Sequence, residues 1–174
     1  MTRHTVDIQC PNCRRRARFE EPFVFVSWEH APSDETRPFH KWGGWMVIER
    51  FPSQFPWVAP GKGPQLQGRG SEPDQYGYAV LTDGLVQCRH CHVNAKHRLQ
   101  WPKDAYWQWH IRGELLWAWD RSHAETILAF IEAAHRPSRR SEQLRHLPAH
   151  FLTAKARNEV VGKIKKLLAE SPAD

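Results

Sequence analysis

The sequence predicts an α+β domain, an antiparallel sheet closed by C-terminal helices, and three features lead there. Short β-branched and aromatic runs, such as Val6-Asp7-Ile8-Gln9 and Phe23-Val24-Phe25-Val26, recur over residues 5–119. Beyond them the apolar period lengthens to about 3.6, with Ile127, Phe130, Ile131 and Ala134 on one helical stripe. The only four cysteines form two matched pairs, Cys10-Pro-Asn-Cys13 and Cys88-Arg-His-Cys91, each placed directly after a strand-type run.

In chain order, Val6–Gln9 leads into the first cysteine turn, and Arg14-Arg15-Arg16-Ala17-Arg18-Phe19 leads away from it as a second strand. Phe23–Val26 is a third. From Glu29 to Gln75 the chain holds seven of its thirteen Pro and six of its ten Gly, the texture of a long, mostly irregular insertion over residues 29–76. Its one strand-like run is Trp45-Met46-Val47-Ile48, and Trp42, Trp45 and Trp57 are expected to pack it down. Tyr78–Thr82 returns to strand texture, Asp83-Gly84 reads as a hairpin turn into the second cysteine arm, and Val93–Leu99 follows as a strand. Tyr106–Ile111 and Leu115–Trp119 read as a hairpin around Arg112-Gly113-Glu114. Alternation puts Trp107, Trp109 and Ile111 on one face, with Leu115, Trp117 and Trp119 expected to match them. Ser122-His-Ala-Glu125 has the form of a capping box for the next helix, which Pro137 ends. A short helix over 139–147 and a last one over about 153–168 follow, the latter burying Ala156, Val160, Ile164 and Leu167. The expected organisation is a β domain over 1–120, carrying the 29–76 insertion, with a helical segment over 121–174 packed on it.

Two thiolates on one tight turn reach the same ion, and two such turns complete a tetrahedron, the geometry Zn²⁺ takes in structural sites. With four cysteine ligands no coordination position stays open, so the metal is expected to be structural rather than catalytic. Cys10-Pro-Asn-Cys13 also has the C-P-x-C form of redox motifs. Those sit at a helix N-terminus, whereas Arg14–Phe19 reads as strand, and redox chemistry leaves the second pair unexplained. The two arms resemble the zinc ribbon superfamily, in which two strand–knuckle–strand arms share one structural zinc. The resemblance implies a zinc-ribbon-like sheet with Cys10, Cys13, Cys88 and Cys91 as ligands. Arg14 and His92 stand where ribbons often carry Gly after the second cysteine, and residues 14–87 separate the knuckles. Closing a longer loop costs only about 0.6 kcal/mol per doubling of its length, small beside the ~10–16 kcal/mol of structural zinc binding.

The formal charge is +6, from 25 Lys+Arg against 19 Asp+Glu, which favours anionic partners. Residues 135–168 hold nine Lys and Arg against two acids, so the basicity is regional. Arg14, Arg16 and Arg18 beside the first knuckle, and Lys155, Lys163 and Lys166 on the last helix, are the expected phosphate contacts. The plainer roles are balancing the charge of a tetrathiolate zinc, formally −2, and lining a solvated helix face. The Trp hairpin reads as core rather than as a stacking platform. No H-E-x-x-H, Ser/His/Asp or nucleotide-loop motif is present, so no catalytic residue is assigned. Glu29, His30, Asp34 and His40 read as loop polar groups. With no long apolar run and no apolar N-terminal leader, a cytoplasmic protein with no membrane partner is expected. The functional expectation is a non-enzymatic zinc protein that binds nucleic acid or regulates. The alternatives are a protein–protein adaptor anchored by the Trp-rich insertion and, third, an enzyme with the zinc arms as a structural accessory.

Overall fold

Val6 and Ile8 are fully buried while Thr5, Asp7 and Gln9 are half-exposed, the period-two pattern of a strand with one covered face. The structure, a computed structural model, describes residues 5–30, 38–61, 82–133, 141, 144–145 and 147–171. Among these residues the strands are β1 (Thr5–Gln9), β2 (Arg16–Glu20), β3 (Phe23–Ser27), β4 (Phe39–Trp42), β5 (Trp45–Glu49), β6 (Asp83–Gln87), β7 (Asn94–Arg98), β8 (Trp107–Ile111) and β9 (Glu114–Ala118). The helices are α1 (Arg121–Glu132) and α2 (Ala154–Glu170), so the class is α+β. The sheets have the orders β1-β2-β6-β7, β3-β5-β4 and β8-β9. The expected strand at Tyr78–Leu81, the basic residues Arg136, Arg139 and Arg140, Ala134, Pro137 and most of the short helix at 139–147 lie outside the described residues. The chain divides into two compact units, Met1–Thr5 with Arg18–Gln100, and Val6–Ala17 with Trp101–Asp174.

In the first unit, β4 went unread in the sequence because Phe39-His40-Lys41 is exposed and does not alternate. Its pairing with β5 matches Trp42 to Trp45 around Gly43-Gly44, with Gly43 at φ 59°. That is a two-residue hairpin turn, which glycine makes at no steric cost. Within the expected insertion, Phe39–Glu49 is therefore a β-hairpin. Phe23, Trp42 and Val47 form a small core flanked by Phe25, Trp45, Phe55 and Trp57. Trp57 meets Phe23, Phe25 and Trp42 edge to face, with centroids 4.9, 5.6 and 5.7 Å away. Trp42 Nε1 donates to Gly61 O (3.1 Å), and the Trp57 N–H to Glu49 Oε1 (2.5 Å). Asp83 and Gly84 are not a turn, as the sequence suggested, but the first residues of β6, paired with Arg98 and His97. Gly84 is there for space: a Cβ would lie 2.3 Å from Glu20 O and 2.5 Å from the Phe19 ring.

In the second unit β8 and β9 pair from Ile111↔Glu114 to Trp107↔Ala118. The turn is thus the two residues Arg112-Gly113, both with positive φ (53° and 87°), and not three. One residue of register turns a strand over. Trp107, Trp109 and Ile111 share their buried face with Leu116 and Ala118, while Trp117 and Leu115 lie on the other face, correcting the sequence reading. There Trp117 stands edge-on to Trp101 and Trp119, whose rings stack at 4.3 Å. The core face packs with Ile127, Phe130 and Ile131 of α1 and Val160 and Ile164 of α2. Leu168, rather than Leu167, completes the buried stripe of α2. Trp107 Nε1 donates to Asp7 Oδ2 (2.7 Å), and the Asp7 backbone bonds Trp119 and Tyr106, stitching β1 to the hairpin.

Each helix caps the other. Arg121, at the start of α1, donates to the carbonyls of Leu168 (3.0 Å) and Ser171 at the end of α2, and Arg157 of α2 donates to Glu132 O at the end of α1 (2.5 Å). The last carbonyls of a helix lack helical partners and carry partial negative charge, so a guanidinium satisfies both needs, and the helices run antiparallel. The N-cap of α1 is Asp120, not Ser122: its carboxylate accepts the His123 N–H (2.8 Å). His123, fully buried, completes the box by accepting the Trp119 N–H on Nδ1 (3.1 Å), while Glu125 turns outward to Arg121 (2.8 Å). Replacing Asp120 with Ala is expected to cost about 1 kcal/mol in urea unfolding, whereas Ser122→Ala stays near neutral; equal losses would contradict this cap assignment.

Candidate metal centre

Two residues between cysteines place both on one turn, and each turn closes in the same way. The Cys10 N–H donates to Arg15 O (2.8 Å) and the Cys88 N–H to Val93 O (3.0 Å); in the first turn the Arg14 N–H also donates to Cys10 O (2.9 Å). The residue after the second cysteine is left-handed in both, Arg14 at φ 62° and His92 at φ 58°. A non-glycine residue gives up roughly 1–2 kcal/mol there. The side chains depart from glycine, but the backbone takes the conformation that glycine makes easy.

The Sγ atoms of Cys10, Cys13, Cys88 and Cys91 all lie within 4.8 Å of one another, and none of the four is in a disulfide. Zinc–sulfur bonds of about 2.3 Å place tetrahedral sulfurs roughly 3.8 Å apart, so the cluster has the dimensions of a metal site. Cys10 and Cys88 are buried and Cys13 and Cys91 are half-buried, so each turn offers an inner and an outer sulfur. Four cysteines can hold a metal ion, and zinc is the usual occupant of such a donor set. The first pair leads into β2 and not into a helix, so it lacks the helix N-terminus that tunes redox thiols.

The other expected site residues are placed more diversely. Arg14, Arg15 and Arg18 are exposed and Arg16 is half-buried, and Arg18 Nε pairs with Glu20 (2.5 Å). Lys155, Lys163 and Lys166 stand exposed on α2. Lys163 Nζ donates to Glu159 Oε1 (2.8 Å) and to His110 O (2.7 Å), while Lys166 lies 3.9 Å from Glu170. The Lys163 hydrogen bond, with Arg112 adding to it, holds the Glu159 carboxyl below its ordinary range. This pairing is complete at neutral pH and is lost as acid protonates the carboxylate. Arg89, on the second turn, went unassigned as a cationic group, although Cys88-Arg89-His90-Cys91 spells it out. In the second unit a cleft of about 410 Å³ is lined by Ile111, Arg112, Glu114, His150, Thr153 and Ala156. Its polar groups serve the fold: Arg112 donates to Lys155 O (2.7 Å), and the Thr153 hydroxyl to His150 O (3.0 Å). Among the described residues no helix is long and apolar enough to cross a membrane. Comparison with family models, curated proteins and solved structures finds no match for the chain.

Cys13→Ser is expected to abolish stoichiometric zinc binding and to remove a large share of a stability typical of domains, ~5–15 kcal/mol. Metal analysis and thermal unfolding check this; full cooperative unfolding in excess chelator would contradict it. Arg14→Gly is expected to keep metal and match or exceed the parent's unfolding midpoint, because relief of left-handed strain outweighs the ~0.5–1 kcal/mol entropy cost of glycine. Arg14→Val, β-branched at positive φ, is expected to fall below both in the same measurement.

Proposed function

We propose that this is a zinc-ribbon-type protein whose metal is structural and whose task is non-enzymatic binding of nucleic acid in the cytoplasm. The supporting observation is the placement of the cations. Arg14, Arg15 and Arg16 follow the first pair of clustered cysteines without a break, Arg18 comes after Ala17 and is paired with Glu20, and Arg89 stands inside the second pair. A rigid metal turn holding guanidinium groups at fixed spacing presents phosphate with donors already positioned. Lys155 and Lys166 are further exposed cations, on α2. Lys163 contributes less in this reading, because its ammonium already has two acceptors.

The adaptor reading has less behind it. Trp42 is buried, and Trp45 and Trp57 pack with it and Phe25, so these rings serve a core before they serve a partner. Cysteines kept out of disulfides, as a metal requires, also suit a reducing compartment.

Anisotropy titrations with a labelled oligonucleotide at several salt concentrations test the proposal. Log K is expected to fall linearly with log salt, and the joint change of Arg14, Arg16 and Arg18 to Gln to shrink the slope by about one unit for each phosphate no longer neutralised. Salt-independent binding, or none at low salt, would remove the proposal.

A further inference from the structure

The sheet β3-β5-β4 has one face that the small aromatic core does not use. Pairing sets Phe39, Ile48 and Val24 in one row and Lys41, Met46 and Val26 in the next, so these six side chains share that face. At its margin Phe39 is 44% exposed and Trp28, just after β3, is 38% exposed. Every other described Trp is buried or half-buried. The two rings meet edge to face with centroids 5.6 Å apart, and Lys41 Nζ lies 5.9 Å from the centre of the Trp28 ring. The indole is not a loose tip. The Trp28 N–H donates to Gly44 O (3.1 Å), which fixes its backbone to the β4–β5 turn, and residues 28–30 form one 3-10 turn.

Two anchored aromatic rings left in water beside an ammonium ion suit a ligand that offers a flat π face and, one bond system away, an anion. An unpaired nucleotide has both: its base stacks on the rings, and its phosphate meets the lysine. A duplex offers the phosphate but keeps its base faces stacked inside. Glu29 is the one acid among the described residues of that turn. The chain's net +6 adds a long-range pull of the right sign.

We infer that Trp28, Phe39 and Lys41 form a stacking site for an unpaired base of a single-stranded nucleic acid. This inference rests on the nucleic-acid reading above and narrows it to single strands. The test is anisotropy with fluorescein-labelled oligothymidylate and with a duplex of equal length, using the full chain loaded with zinc. The parent is expected to prefer the single strand. Trp28→Ala and Phe39→Ala are each expected to weaken single-strand binding about tenfold while leaving duplex binding in place, and Trp28→Phe to restore most of the loss. Lys41→Gln is expected to lower the salt slope on the single strand. Zinc content and near-ultraviolet circular dichroism establish that the variants fold. Unchanged single-strand affinity in both alanine variants, or a parent that prefers the duplex, overturns the stacking site and leaves the function standing. Absence of binding to either nucleic acid overturns the function itself. A protein partner recovered with the parent and lost in both alanine variants, at unchanged single-strand affinity, would assign the patch to protein docking instead.

Discussion

Four sulfur atoms within 4.8 Å of one another tie together stretches of chain that residues 14–87 separate. Whatever lies between must leave and return to that point, and the arms on either side must be strands that meet turn to turn. A chain of this length has no need of a metal to bury a core, yet here a metal site would set where the arms begin. Because the ligands bind only when deprotonated and brought together, metal binding and folding of the arms are one equilibrium. The left-handed Arg14 and His92 follow from the same demand: each turn must bend back quickly enough to aim two sulfurs at a common point, whichever residue is there.

The basic residues do two kinds of work. Arg121 and Arg157 satisfy the open carbonyls of the partner helix, Lys165 pairs with Glu132 (2.6 Å), and Arg50 and Arg18 hold the mostly buried Glu20. These cations belong to the fold, and the net charge of +6 overstates what is offered to a partner. Arg14 and Arg15, directly after Cys13, differ in kind: they ride on a turn whose shape the cysteines set. Tryptophan divides in the same way. Trp107 and Trp42 are buried with their indole N–H groups bonded to Asp7 and Gly61, whereas Trp28 alone among the described tryptophans keeps more than a third of its surface in water.

Much was legible in the chain because it is local. Spacing within a cysteine pair, alternation in Val6–Gln9 and the 3.6-residue stripe of Val160 and Ile164 are short-range patterns, and each became the turn, strand or helix it suggested. Errors arose where a choice depended on a neighbour. Asp120 displaced Ser122 as the cap because the helix began two residues earlier, where a carboxylate faced the His123 N–H and the His123 ring could accept from Trp119. Gly84 looked like a turn glycine but is a strand glycine pressed against Phe19 and Glu20. β4 has no pattern of its own and exists because β5 offers it a ladder.

By itself the sequence determined which four cysteines could share a metal, the α+β class and the identity of most elements, since these depend on residue type and near-neighbour spacing. Tertiary structure alone decided on which face Trp117 falls, that Trp42 is core and Trp28 is surface, and which lysines are already engaged. Register and burial are set by contacts between residues far apart in the chain, and a shift of one position in a two-residue turn reverses them without changing a letter.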